Sequence, residues 1–397
     1  MKPPMASALQ LESTDSGGVP GGMIQDVRVT LLPTLPIHAG ASMQLYTADL
    51  LKALEGIPGV VARAQWPAFG QEASAGKLRK RWIRHVEYVR WCRRLSGDLF
   101  HITDHGNAQL LLALPGTRTV VTCHDLYPMA VALGRARFAG VEGRWGMTPT
   151  ALRLQWLRKA TAIVAISQQT LEECRNFLGI ARDRLFLAPY GISRIFHSPN
   201  GSESPESFRR RHNIPVEPLV VLHVGSNDPR KNLMTVFRVV AALRERCKKG
   251  VCLVKVGSPF GPLEAKAIKT LGLQEAIRDL GPLSVEEAAR AYRACDVLLY
   301  PSFHEGFCRP VAEAMASGTP VVASNRGAIP EVVQHSPSLF EPEHVEGMTN
   351  RILQIIESDD LRDELVQRGR LAAQKFTWEA HGAAVAEVYR TVVKRWA

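Results

Sequence analysis

The 397-residue sequence lacks any apolar run close to the roughly 20 residues that a membrane-spanning helix needs. Its first two dozen residues lack the charged start, apolar stretch and cleavage site of a secretory signal, and their Gly, Ser and Pro content predicts a disordered tail over residues 1–24. The seven cysteines include no C-x-x-C pair, which argues against a disulfide framework and a zinc site. These absences favour a soluble protein of a reducing cytoplasm.

The sequence also lacks the short motifs that mark nucleotide hydrolysis or a divalent metal. No G-x-x-x-x-G-K-[ST] loop, no H-E-x-x-H pair and no D-x-D pair occurs. We therefore expect neither a metal nor another cofactor. If the substrate carries phosphate, protein cations and helix ends must neutralise its charge.

Positive charge is abundant, and it is unevenly distributed. The formal net charge is +11, and residues 77–94 hold eight Lys and Arg against the single acid Glu87. Leu78, Trp82, Val86 and Val89 recur at helical spacing, which predicts a basic amphipathic helix. Its basic face is either an ordinary solvated surface or a site that attracts anionic lipid or a phosphorylated acceptor. Nucleic-acid binding is disfavoured because no aromatic platform accompanies the charge.

Short β-branched runs alternate with helical patterns in both halves of the chain, which predicts an α/β protein. The alternation stops in a stretch rich in Pro, Ser, Gly and charge, and then restarts. We therefore predict two Rossmann-like, doubly wound parallel-sheet domains that face each other across a cleft. The predicted boundaries are a first domain over 25–190, a linker over 191–218, a second domain over 219–375 and a terminal helix over 376–397.

In open parallel sheets the residues that follow each strand form the ligand site. After the strand pattern "LVVLHV", Gly225 permits close backbone approach, and Arg230 and Lys231 stand beside the start of a helix. Two cations at a helix N-terminus suit a diphosphate. An ordinary solvated loop explains this pair of cations equally well.

Two glutamates flank a turn after the strand pattern "DVLLYPS". Glu305 precedes Gly306 at the strand-to-helix corner, and Glu313 lies about one turn into the next helix, in which Pro310 suits the first turn. Carboxylates placed in this way can accept hydrogen bonds from the vicinal hydroxyls of a sugar or ribose. The alternative for Glu313 is a helix residue stabilised only by the helix dipole.

Two loops of the first domain are weaker candidates. His124 follows the strand pattern "TVVTC", where it could donate to a substrate hydroxyl or phosphate, or could satisfy a loop carbonyl. Gly40 lies in a loop of small residues before the first helix and could bring backbone amides close to a phosphate or sugar.

Together these segments resemble the retaining glycosyltransferases of the family 4 type, which have the GT-B fold. The resemblance covers nearly the whole chain from about Val27, and its most specific part is an E-x7-E motif formed by Glu305 and Glu313. The segments "VGSNDPRKNL", "HDL" and "APYGI" occur in the family's usual order. Cys308 departs from the small residue that is usual at that position, and the loop around Gly40 is a loose version of a glycine-rich one.

The resemblance implies a role for each candidate residue. Arg230 and Lys231 would hold the diphosphate of a nucleotide sugar, and Glu313 would accept from the ribose. Glu305 would face the transferred sugar, with His124 across the cleft. The remaining implied donor contacts are Gly306, Phe307 and Cys308 beside the sugar, and the segment from Gly281 through Pro282 and Leu283 against the base.

The implied function is metal-independent transfer of a hexose, with retained configuration, from a UDP- or GDP-sugar to an envelope polysaccharide or a lipid-linked saccharide. Two alternatives stay open: a synthase that transfers glucose to a small sugar phosphate, and a nucleotide-sugar-binding protein without turnover. The implied location is the cytoplasm, with peripheral contact to an anionic membrane through residues 77–94 as a further hypothesis.

Overall fold

The computed structural model describes residues 26–36, 41–70, 76–114, 118–135, 148–198, 203–334 and 336–395. The predicted tail over residues 1–24 and Gly40 both lie outside these described residues. None of the helices in the described ranges is long and apolar enough to cross a membrane.

The first half of the chain forms a six-stranded parallel sheet in the order β2-β1-β3-β4-β5-β6. Its strands are nearly continuous apolar runs because helices cover both faces of the sheet. The strands are β1 (Val27–Leu32), β2 (Val60–Ala64), β3 (Leu99–Ile102), β4 (Arg118–Cys123), β5 (Ala162–Ala165) and β6 (Leu185–Leu187).

The second half forms a separate six-stranded parallel sheet in the order β12-β11-β10-β7-β8-β9. The predicted α/β class with two doubly wound sheets is therefore confirmed. The strands are β7 (Leu219–Gly225), β8 (Val251–Gly257), β9 (Ile277–Asp279), β10 (Val297–Tyr300), β11 (Val321–Ser324) and β12 (Leu339–Phe340).

Helices connect the strands and cover the sheets. Those of the first half and of the connection to the second are α1 (Ala41–Leu54), α2 (Lys77–Trp82), α3 (Tyr88–Cys92), α4 (Tyr127–Ala132), α5 (Pro149–Leu154), α6 (Gln168–Leu178), α7 (Arg194–His197) and α8 (Pro205–Arg211). Those of the second half are α9 (Leu233–Arg246), α10 (Pro262–Thr270), α11 (Val285–Arg293), α12 (Arg309–Ser317), α13 (Ile329–Val333), α14 (Val345–Glu357), α15 (Asp359–Ala373) and α16 (Trp378–Arg395).

The last helix, α16, returns to the first domain and packs against α1 and the first sheet. Two buried hydrogen bonds fix its position: the Tyr389 hydroxyl pairs with His101 Nδ1 at 2.6 Å, and His381 Nε2 pairs with the Tyr46 hydroxyl at 2.9 Å. The apolar residues that recur at helical spacing in the terminal segment are thus buried against the first domain, which is distant in sequence.

The basic segment differs from the regular helix that its spacing predicts. A π-helical turn, Ile83–Glu87, interrupts it between α2 and α3. This turn shifts the buried stripe onto Ile83, Tyr88 and Val89 and leaves Leu78 and Trp82 exposed by 81% and 52%. The predicted apolar face is therefore wrong at Leu78 and Trp82, because the i to i+5 turn changes the helical register between the residues before it and the buried residues that follow it.

Candidate functional site

The site is a cleft cavity of about 430 Å³ between the carboxyl ends of the two sheets. It combines the loops after β4 and β10, the residues around Arg230 and the start of α12. Nine residues predicted from the sequence line it, namely His124, Gly225, Arg230, Lys231, Glu305, Gly306, Phe307, Cys308 and Glu313.

Glu305 is buried at the centre of this cleft. It follows β10 in a loop and accepts hydrogen bonds from Lys231 Nζ at 2.6 Å and from Ser302 Oγ at 2.8 Å. Burial alone would raise the pKa of Glu305, but the charges of Lys231 and Arg230 outweigh burial and lower it. Glu305 is therefore a carboxylate at neutral pH and can accept hydrogen bonds from a substrate.

Glu313 lies in α12, on the same side of the cleft. Its two carboxylate oxygens accept from Arg309 Nη2 at 3.1 Å and from the Tyr292 hydroxyl at 2.9 Å. These contacts fix its rotamer and still leave lone pairs for further donors. Arg309 and Tyr292 were not predicted from the sequence, although Arg309 lies between the two glutamates of the motif as the first residue of α12.

Arg230 reaches across the cleft to the first domain. Its Nη1 donates to Asp125 Oδ2 at 3.3 Å, and its guanidinium lies 5.5 Å from the centre of the Tyr127 ring. Arg230 Nε is buried and has no hydrogen-bond partner among the described residues. Burial raises the pKa of Asp125, but the charges of His105 and Arg230 reverse this and lower it to about 2. The cation predicted to bind phosphate thus holds a protein carboxylate in this structure.

His124 lies opposite Glu305 in the cleft, and the residue as a whole is buried, with 6% of its surface exposed. Its Nε2 donates to the Thr103 carbonyl at 2.9 Å, while Nδ1 is buried without a partner among the described residues. Burial, helped by His105, lowers the pKa of His124 to about 4, so the ring is neutral at pH 7. The bond to Thr103 is the loop-carbonyl contact that was predicted as the alternative role of His124. A contact between His124 and a substrate stays a prediction, in which Nδ1 would accept a hydrogen bond.

The backbone around Glu305 brings the two domains into direct contact. A Cβ at Gly306 would overlap the carbonyl oxygen of His124, so only glycine permits this approach. The following Cys308 adopts a positive φ of 75°, which is rare outside glycine and here precedes α12. The close approach of the two domains thus determines the conformation of this loop, which is not part of a regular helix or strand.

Three predicted contacts stand apart from this cavity. Pro282 and Leu283 do not line it; they follow the edge strand β9, and Leu283 packs against the hydrophobic core. Their role as donor contacts stays a prediction. Gly40 lies outside the described residues. Within those residues, no group of three or more His, Cys, Asp or Glu could hold a metal ion.

Family models match both halves of the chain. The model described as "Glycosyltransferase Family 4" matches residues 43–194, and the model described as "Glycosyl transferases group 1" matches residues 204–372. The first match covers the first sheet from α1 onward, and the second covers the whole of the second sheet. Both candidate glutamates fall within the second match.

Individual proteins show the same relationship. An MMP alpha-(1->4)-mannosyltransferase from Mycolicibacterium hassiacum is 30% identical over 317 residues, which cover 76% of this chain and 72% of that protein. A D-inositol 3-phosphate glycosyltransferase from Corynebacterium glutamicum is 26% identical over 247 residues, and the match spans only 59% of its length and 60% of this chain.

A solved structure extends the likeness to the complete fold. HepE from Anabaena, in complex with UDP and glucose, superposes with a TM-score of 0.70 at 19% identity and covers 92% of this chain and 100% of that one. The two facing sheets, the two family models and the 30% identical relative lead to one conclusion: the chain belongs to the family 4 and group 1 glycosyltransferases and has their GT-B fold.

Proposed function

We propose that this protein transfers a hexose from a nucleotide sugar to a saccharide acceptor, with retention of configuration and without a metal. The observation that carries the proposal is the convergence of Arg230, Lys231, Glu305 and Glu313 on one cleft cavity that His124 closes from the other domain. HepE was solved with UDP and glucose, and the related mycobacterial protein is a mannosyltransferase, which supports a nucleotide sugar as donor and a hexose as the transferred group.

The cations of the site suit the leaving diphosphate. Arg230 Nε forms no hydrogen bond among the described residues and lies 3.6 Å from Asp228 Oδ2. Lys231 stands beside Glu305, so both cations are placed to bind a leaving diphosphate. Neutralising the leaving group is the step at which such contacts lower the barrier most. In this proposal the diphosphate replaces Asp125 on Arg230.

The carboxylates suit the sugars. Glu313, fixed by Tyr292 and Arg309, would accept from the ribose hydroxyls, and Glu305 would orient the transferred hexose. His124 Nδ1 would accept a hydrogen bond from a hexose hydroxyl across the cleft. We assign Glu305 to positioning and electrostatic stabilisation and do not assign it as a nucleophile.

A second candidate is a synthase that transfers the sugar to a small phosphorylated acceptor. The relative from Corynebacterium glutamicum is named for D-inositol 3-phosphate, which favours this candidate. Transfer to a soluble sugar phosphate in the absence of any lipid would support the synthase, whereas transfer only to saccharides or lipid-linked saccharides would support the first proposal.

Cytoplasmic location and contact with anionic membranes belong to the same proposal. All seven cysteines are free thiols, which suits a reducing compartment. The exposed Leu78 and Trp82 beside the basic residues of the 77–94 segment suit a peripheral contact.

A donor screen tests the proposed function. Purified protein is incubated with UDP-, GDP- and ADP-sugars and a panel of acceptors, with and without EDTA, and nucleoside diphosphate release and the anomeric configuration of the product are measured. We expect turnover with one donor base, unchanged by EDTA, and a product of retained configuration. Binding of a donor without any transfer would instead identify a nucleotide-sugar-binding protein, and loss of activity in EDTA would contradict metal-free transfer.

A further inference from the structure

A second cavity lies in the first domain and is lined by cations. It is distinct from the cleft cavity around Glu305 that is proposed to bind the donor, called the donor cleft below. The second cavity has a volume of about 410 Å³ and lies between the π-helical turn Ile83–Glu87 and α5. Seven described residues line it: Lys80, Arg81, Arg84, His85, Pro149, Thr150 and Arg153. Four of them carry a fixed positive charge, one is an imidazole, and no carboxylate is among them.

Two of these guanidinium groups are partly buried, and each has an N–H group that donates to no acceptor among the described residues. Arg84 Nε and Arg153 Nε are buried and have no hydrogen-bond partner among the described residues. A buried N–H without an acceptor is energetically unfavourable, and more so when the group is charged. Two such groups side by side therefore favour an acceptor of hydrogen bonds that carries negative charge.

The electrostatics of the cluster support the same ligand class. Burial, together with the charge of Arg153, lowers the pKa of Arg84 to about 10, while Asp104 opposes both effects. Burial also lowers the pKa of His85, and the charges of Arg153, Arg84 and Arg81 add to this effect. The cations destabilise one another, and a bound anion would remove that cost.

Acids near the cavity are occupied by other partners. Glu87, the single acid of the basic segment, pairs with Arg79. Asp104 accepts from the Thr34 hydroxyl at 2.6 Å and from the Gly106 amide at 2.7 Å. Within the part of the chain that the structure describes, neither carboxylate forms an ion pair with Arg84 or Arg153.

The segment after β3 links the cavity to the donor cleft, since Gln109 Nε2 donates to the Arg84 carbonyl at 3.3 Å. Asp104, which stabilises the charge of Arg84, lies 3.5 Å from His105, and His105 Nδ1 accepts from the backbone amide of His124 at 3.2 Å. The segment that contacts Arg84 thus also contacts the residue that closes the donor cleft. This connection makes the acceptor the candidate for an anionic group bound in the cavity.

We propose that this cavity binds a phosphate group of the acceptor substrate, chiefly through the guanidinium groups of Arg84 and Arg153. The role as acceptor rests on the proposed glycosyl transfer, whereas phosphate binding itself does not. Two forked guanidinium groups match the oxygens of a phosphate better than two ammonium groups would. The phosphate could belong to a soluble sugar phosphate or to a lipid-linked saccharide.

The first test measures binding of inorganic phosphate by calorimetry at constant ionic strength. The variants are Arg84→Gln, Arg153→Gln, the donor-site variant Arg230→Ala, and Arg90→Gln, a control that removes an exposed charge from the same basic segment outside the cavity. We expect at least tenfold weaker phosphate binding in Arg84→Gln and Arg153→Gln, partial recovery in Arg153→Lys, and no loss in Arg90→Gln. Phosphate binding that is lost only in Arg230→Ala would overturn the proposal.

Thermal unfolding separates a ligand site from a structural role. Because Arg153→Gln removes mutual repulsion, we expect its midpoint without phosphate to equal or exceed that of the wild type, while the increase caused by phosphate disappears. A lower midpoint without phosphate, with an unchanged response to phosphate, would contradict the proposal.

Two further measurements identify the source of the phosphate. The first is sedimentation with phosphatidylglycerol vesicles, with phosphatidylcholine vesicles as the uncharged reference. If the protein sediments with the anionic vesicles, and this binding is lost in Arg153→Gln and kept in Arg90→Gln, the phosphate belongs to a lipid. Absence of sedimentation together with phosphate binding would assign a soluble acceptor. Equal loss of sedimentation in both variants would show that vesicle binding depends only on the overall positive charge of the segment, and would overturn the proposed site. In the active enzyme, Arg153→Gln should raise KM for the acceptor at least tenfold and leave KM for the donor unchanged.

Discussion

Arg230 bonds to a protein carboxylate at the point where the proposed substrate would place a phosphate. Asp125 lies 3.3 Å from Arg230 Nη1, and both side chains are about one fifth exposed. A diphosphate that binds Arg230 must first break this ion pair, so the carboxylate competes with the substrate for the cation. Asp125 also accepts from the Tyr127 amide at 3.1 Å, which anchors the start of α4.

We therefore predict that Asp125→Asn tightens nucleoside diphosphate binding. The asparagine side-chain oxygen can still accept from the Tyr127 backbone N–H, but the charge that competes for Arg230 is gone. A partly exposed ion pair of this kind contributes about 1 kcal/mol, which corresponds to roughly fivefold in Kd. Calorimetry with the nucleoside diphosphate of the preferred donor measures the change. Asp98→Asn, which removes an exposed acid elsewhere in the first domain, is the matched control. An unchanged or larger Kd in Asp125→Asn would show that Asp125 does not compete.

At this scale the sequence predicts residue types well and partners poorly. Arg230, Lys231, Glu305 and Glu313 were identified because each follows a strand pattern of the second domain. Their partner Asp125 is 105 residues away from Arg230, in the other domain, and no periodic pattern connects the two. His124 shows the same limit, because the choice between donor and acceptor depends on a backbone carbonyl that the sequence does not reveal.

At the scale of elements, the strand-to-helix corners determine how closely the domains approach. The Gly306 carbonyl accepts from the Thr170 hydroxyl at 3.2 Å. The Glu331 carboxylate accepts from the first amides of α6, Gln168 N at 2.8 Å and Gln169 N at 3.0 Å. These contacts join loops and helix ends of the two domains around the donor cleft.

Gly306→Ala should separate the domains at the donor cleft. The added methyl group would overlap the His124 carbonyl, and because the overlapped atom belongs to the backbone, the domains must move. We expect turnover to fall by about 100-fold, since a displacement of about 1 Å at a reacting centre has that effect. Gly76→Ala is the control, because its new Cβ would meet no atom within 4 Å. Equal turnover in both variants would show that this contact is dispensable.

The sequence predicts most strands and the longer helices because their apolar periodicity is strong. It fails at the basic segment, where the π-helical turn Ile83–Glu87 shifts the buried stripe. A regular period cannot reveal an inserted residue, so Leu78 and Trp82 were placed on the wrong side. The cationic cavity depends on that turn and on α5, which is about 65 residues later, and could not be predicted from either segment alone.

At the scale of the whole molecule, buried histidines make stability depend on pH. Burial lowers the pKa of His101 to about 3 and those of His124, His223 and His381 to about 4. Between about pH 6.5 and 4 the unfolded chain therefore binds more protons at these sites than the folded protein does. Stability from these groups is present above pH 6.5 and is lost as the pH falls.

We predict that the free energy of unfolding decreases between pH 7 and pH 5.5, with each of these histidines contributing at most about 1.4 kcal/mol per pH unit. Urea unfolding at several pH values measures the slope. His223→Gln should reduce the slope by up to one proton, and His344→Gln, which removes an exposed histidine, is the matched control. A flat profile over this range would contradict the burial of neutral histidines.

The central claim is that Arg230 stabilises the diphosphate that leaves the sugar. Its most direct test is the steady-state turnover of Arg230→Ala with the preferred donor, measured beside Arg238→Ala, which removes an exposed arginine from α9. We expect a fall of about 100-fold or more in Arg230→Ala, with folding retained and turnover of the control unchanged. Wild-type turnover in a folded Arg230→Ala variant would contradict it.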